Sequence, residues 1–74
     1  MRLDRAGRRG KAVTVLSNLG LGDDELRAML GYLQKACGSG GTVAEGNVEI
    51  QGDHRDRVEL LLKERRISVK RAGS

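Results

Sequence analysis

The sequence predicts an α+β fold: a two-layer sandwich of one mixed sheet with both helices on a single face, in the order strand, strand, helix, strand, strand, helix, strand. Three observations carry that prediction. Two stretches place apolar residues at three- and four-residue intervals, Leu26, Met29, Leu30, Leu33, Ala36 and Cys37 in one and Val58, Leu61 and Leu62 in the other. Two short runs alternate instead, A-V-T-V-L at 12–16 and N-V-E-I-Q at 47–51. Finally, Cys37 to Arg57 compresses a helix end, a glycine turn, a tight hairpin and a capped helix start, with almost no loop between them.

A chain of 74 residues makes one domain, 1–74, near the size at which a single core is only just sufficient. No apolar run is long enough to cross a bilayer, and the chain does not open like a signal peptide, which points to the cytoplasm. A single cysteine and a single histidine provide neither an internal disulfide nor a set of zinc ligands.

The formal charge is +4, and its distribution says more than its sum. Residues 1–11 carry Arg2, Arg5, Arg8, Arg9 and Lys11 against Asp4, and residues 63–71 carry Lys63, Arg65, Arg66, Lys70 and Arg71 against Glu64. Acidic residues outnumber basic ones in between, eight to four. If the two ends come together, one face attracts polyanions. Arginine supplies ten of the 14 basic residues, so bidentate phosphate contacts are open to the chain.

The elements follow in order. Gly7-Arg8-Arg9-Gly10-Lys11 reads as a turn, because two glycines bracket two residues that tolerate a bend. In Ala12–Leu16, Val13 and Val15 share one face and Thr14 and Leu16 the other. Asp23, or the residue before it, caps the first helix; Asp23, Asp24 and Glu25 suit the positive end of its dipole and Lys35 the negative end. Gly38 is the natural left-handed stop. Thr42–Ala44 and Asn47–Gln51 are strands joined by Glu45-Gly46, a two-residue hairpin connection. Asp53 caps the second helix, with Asp56 completing an imperfect capping box, and Ile67 to Val69 form a last strand.

The pieces G-G-T-V at 40–43 (hairpin following) and I-Q-G-D-H-R at 50–55 resemble the signature of the eukaryotic translation initiation factor 1 family, which has archaeal members and small stand-alone bacterial relatives. The resemblance extends to G-R-R-G-K-A-V-T-V at 7–15 and to the closing V-K-R-A-G-S, so it covers nearly the whole chain. It implies a short first strand at residues 2–5, which the charged pattern there does not establish by itself. It also implies that the basic hairpin tip, Arg5, Gly7, Arg8, Arg9, Gly10 and Lys11, points into the peptidyl-tRNA site of the small ribosomal subunit. The corner Asp53, His54 and Arg55 then bears on start-codon selection, His54 standing where many members carry glutamine, and Arg55 contacts rRNA. The implied partners are small-subunit rRNA together with initiator tRNA and mRNA, for a protein that is a monomer when free. The second loop, Glu45-Gly46, is shorter than in eukaryotic members, which puts the tRNA contact of that loop in question. A general RNA-binding or ribosome-associated modulator outside start selection is the other reading.

The remaining constellations are bland. Gly38-Ser39-Gly40-Gly41 follows a helix and precedes a strand with no lysine after it, so it is turn chemistry and not a phosphate loop. Cys37 lies on the apolar stripe as a small hydrophobe, and Tyr32 falls off it, as a surface or edge residue. With no Phe and no Trp, the chain cannot stack bases as RRM and OB domains do. His54 beside a capping aspartate cannot supply both the acid and the base of an RNA cleavage, so no catalytic residue, metal ligand or cofactor is assigned.

Overall fold

The computed structural model describes residues 1–4, 12–67 and 70. Its elements are β1 (Arg2–Asp4), β2 (Val13–Leu16), α1 (Asp23–Cys37), β3 (Gly41–Ala44), β4 (Asn47–Gln51) and α2 (Arg55–Glu64). The four strands form one sheet in the order β1-β2-β4-β3.

Every strand pair in this sheet is antiparallel, which corrects the expected mixed sheet. The helical crossover α1 leaves β2 and β3 pointing the same way, but they are not neighbours. The tight hairpin delivers β4 between them, and it pairs antiparallel with both. The parallel contact among the described residues is an isolated bridge from Val13 to Gly52, just past the end of β4. The expected last strand is not seen at Ile67, whose amide closes the end of α2 on the Leu62 carbonyl at 2.8 Å; Ser68 and Val69 lie outside the described residues.

Period 2 in the strands and period 3.6 in the helices meet in one core. Leu16, Val48 and Ile50 form an apolar cluster with Leu26, Met29 and Leu33 of α1, Val58 and Leu62 of α2, and Met1. Both helices therefore cover the same face of the sheet, as expected. Thr14 shares that face with Leu16 and is fully buried, while Val13 and Val15, buried on the opposite face, alternate with them. Leu30, Tyr32, Cys37 and Leu61 pack half-buried against the cluster, so Tyr32 is an edge residue.

Local chemistry sets the turns. Gly22 is the N-cap of α1, and its amide donates to Glu25 Oε1 at 3.3 Å. Glu45 and Gly46 both have positive φ, 52° and 76°, the pair of values a type I′ hairpin needs. The start of α2 departs from expectation: the N-cap is His54, and Asp53 stands one residue outside the helix. The Asp53 carboxylate still accepts from the Arg55 amide at 3.3 Å, but it is mainly held by the Arg55 side chain.

Candidate nucleic-acid interface

Of the residues assigned to the interface from sequence, Arg5, Gly7, Arg8, Arg9, Gly10 and Lys11 lie outside the described residues. What the structure describes is the ground on either side of them and the whole of the Asp53-His54-Arg55 corner. In sequence the basic stretch runs between β1 and β2, which pair antiparallel up to Asp4 and Val13.

The corner is tied to the first residues of β2 by three hydrogen bonds. The Gly52 amide donates to the Ala12 carbonyl at 2.7 Å, next to the basic stretch. The Thr14 hydroxyl donates to the Gly52 carbonyl at 2.7 Å and accepts from the His54 amide at 2.9 Å. A buried hydroxyl thus satisfies a donor and an acceptor of one turn, and both would otherwise be costly to bury. The first helical bond of α2 runs from the Val58 amide to the His54 carbonyl, and Thr14 supplies the partner that the His54 amide lacks within the helix.

The His54 ring folds back over Gly52 and reaches Ser39 Oγ through Nε2 at 2.9 Å. Gly52 has φ of 100°, and a Cβ there would stand 2.7 Å from His54 Nε2, so backbone and side-chain geometry both select glycine. Ser39 Oγ in turn lies 3.4 Å from the Cys37 carbonyl. Arg57 Nε donates to the Ala36 carbonyl at 3.0 Å, at the carbonyl-rich end of α1. The glycine turn after α1, read from sequence as plain turn chemistry, therefore also anchors the corner. Burial pushes the Cys37 thiol above its ordinary pKa, partly offset by the Arg57 charge, so it is a poor nucleophile.

Arg55 does not project freely. Its Nε and Nη2 grip Asp53 Oδ1 and Oδ2, each at 2.9 Å, in a fork-to-fork pair. The carboxylate occupies the bidentate geometry a phosphate would take, and raises the guanidinium pKa further through that hydrogen bond.

Charge elsewhere was harder to place from sequence. The two chain ends do meet: the Met1 amine donates to the Lys70 carbonyl at 2.6 Å. The cations of the C-terminal run are nevertheless carried along α2, away from the corner. Arg65 lies over the Tyr32 ring, 3.8 Å from its centroid, a cation–π contact that nothing in the helical periodicity announces. Among the described residues no group of three or more His, Cys, Asp or Glu side chains could hold a metal ion, and no helix is long and apolar enough to cross a membrane.

Comparison with known proteins gives a consistent picture. The family model for translation initiation factor SUI1 matches residues 1–68. The uncharacterized protein YciH of Escherichia coli (strain K12) is 44% identical over 68 residues, covering 92% of this chain and 63% of the relative. An uncharacterized protein of Synechocystis is 45% identical over 69 residues, covering 93% of this chain and 62% of the relative. The protein translation factor SUI1 homolog of Sulfurisphaera tokodaii is 47% identical over 57 residues, covering 76% of this chain and 57% of the relative. The chain spans about six-tenths of the length of the curated relatives it matches.

Proposed function

We propose that this chain, which belongs to the translation initiation factor SUI1 family, binds the small ribosomal subunit near its peptidyl-tRNA site and influences the choice of start codon and initiator tRNA through its basic stretch. The observation that carries the reading is the 2.7 Å bond from the Gly52 amide to the Ala12 carbonyl. It ties the G-D-H-R corner to the residue directly after the G-R-R-G-K stretch, the other motif that the family resemblance singles out. A cationic stretch rooted on a rigid corner suits a contact that must hold position in a crevice of folded RNA.

In this mechanism Arg5, Arg8, Arg9 and Lys11 neutralise backbone phosphates, and the bulk of the stretch competes with fully accommodated initiator tRNA. A tRNA well paired with its codon expels the protein and a poorly paired one does not. Pairing quality becomes a binding difference, without bond-making chemistry. Arg55 joins by exchanging the Asp53 carboxylate for a phosphate of similar geometry, and Asp53 and His54 hold the corner in shape.

Salt titration of binding to isolated small subunits tests this. The four phosphates neutralised by the basic stretch contribute roughly −3 to −4 to the slope of log K against log salt. Alanine at Arg8, Arg9 and Lys11 flattens that slope and weakens binding; an unchanged slope and affinity in the triple variant refute the mechanism.

One observation favours a second reading, a ribosome-associated translation modulator outside start selection. The β3–β4 connection is only Glu45-Gly46, so the loop that lies near initiator tRNA in longer members has little reach. Competition with initiator tRNA on purified small subunits separates the two: displacement supports start selection, and co-occupancy supports the modulator.

A further inference from the structure

The proposed interface uses one end of the domain and leaves a second concentration of positive charge unexplained. Helix α2 begins at the corner and ends at Glu64, ten residues later, a rise of about 15 Å. Lys63, Arg65 and Arg66 are exposed at that far end. The bond between the Met1 amine and the Lys70 carbonyl brings the backbones of exposed Lys70 and Arg2 close together.

Lys63, Arg66, Lys70 and Arg2 make no ion pair among the described residues, unlike Arg55 at the corner. Arg65 is exposed and lies over Tyr32, its guanidinium carbon 3.8 Å from the ring centroid. Arg66 has φ of 61°, in the left-handed region where glycine or asparagine is the usual occupant. Acidic groups are present nearby: Glu64 lies within the run, and Glu25 lines the groove of about 400 Å³ that Arg65 and Tyr32 share with Leu62 and Ile67. Glu25 is engaged with the Gly22 amide at the start of α1, and the cation lining that groove is Arg65.

We infer that Lys63, Arg65, Arg66 and Lys70 form a second phosphate-binding surface, which takes an RNA backbone segment distinct from the one held at the corner. The inference rests on the proposed ribosomal function. A separation of about 15 Å along α2 exceeds the reach of one phosphate group, so the domain bridges two backbone segments and is oriented by both. Favourable placement of cations at a helix C-terminus accounts for Lys63 and Arg65 as local stabilisers. It does not account for Lys70, which lies beyond the helix; Arg2, opposite Val15 on the sheet face away from α2, is not part of the surface.

The test is the salt dependence of binding to isolated small subunits for two variants, Arg8/Arg9→Gln and Lys63/Arg66/Lys70→Gln, with thermal melts to establish that both fold. With three fewer phosphates neutralised at the far end, the steepness of log K against log salt falls by about 2.7, so the wild-type advantage shrinks about 40-fold between 50 and 200 mM salt. A far-end variant with wild-type slope and affinity overturns the inference, and if Arg8/Arg9→Gln binds weakly in the same series the proposed function stands. The reverse pattern upholds the second surface and refutes the role of the basic stretch. A far-end variant that binds more weakly with an unchanged slope points to an uncharged or protein contact there, and also overturns the inference.

Discussion

Thr14 and His54, 40 residues apart in sequence, are joined by a 2.9 Å hydrogen bond from the His54 amide to a hydroxyl that has no exposed surface. The same hydroxyl donates to the Gly52 carbonyl, so one side chain of β2 fixes the turn that starts α2. The corner and the strand leading out of the basic stretch are therefore a single rigid unit.

Thr14→Val keeps the shape and removes the hydroxyl. It leaves a half-buried amide and a half-buried carbonyl without their partner, at a cost of about 1–3 kcal/mol. Urea denaturation should show a lower midpoint with an unchanged m-value, and Thr14→Ser should recover most of the loss.

Gly52→Ala meets two penalties, a positive φ and the His54 ring. The backbone share is about 1–3 kcal/mol. Adding His54→Ala should relieve the ring clash and leave the backbone share. A double-mutant cycle of unfolding free energies should then show a favourable coupling; strict additivity would mean the ring moves aside without cost.

Asp53→Asn removes the carboxylate that holds Arg55. The freed guanidinium no longer gives up a carboxylate to take its phosphate, so the variant should bind small subunits more tightly with little change in salt slope. Arg55→Ala should weaken binding and flatten the slope by about 0.7–0.9, the value of one phosphate contact, and the double variant should resemble Arg55→Ala alone.

Two neighbouring leucines should separate cleanly. Leu62 has no exposed surface and Leu60 is 59% exposed. Leu62→Ala should cost about 2–5 kcal/mol, enough to unfold much of a domain this small at 37 °C. Leu60→Ala should stay within about 0.5 kcal/mol. Circular dichroism melts of both variants provide the measurement.

Much of the fold is legible in the sequence because its signals are local. Leu26, Met29 and Leu33 declare one face of α1 by spacing alone, and Glu45-Gly46 can only be a tight reversal. A crossover makes β2 and β3 parallel, which suggests a mixed sheet, and nothing in either run says that β4 will lie between them. Aspartate caps helices well, which suggests Asp53 for α2, but its carboxylate is taken by the Arg55 guanidinium.

The site divides in the same way. The basic stretch and the G-D-H-R corner stand out as residue types in order. That Arg55 is occupied by Asp53, that Ser39 receives His54, and that Arg65 rests on Tyr32 are contacts between side chains whose approach the sequence does not encode singly.

By itself, then, the sequence determined both helices, strands β2 to β4, the turn between β3 and β4 and the sign of charge along the chain, since period, φ preference and ionisation belong to each residue and its near neighbours. Only the tertiary structure decided the order of the strands and which cations have acidic partners. Those outcomes depend on hydrogen bonds and ion pairs that exist only once distant segments, such as Thr14 with Gly52 and His54, have been brought within about 3 Å of each other.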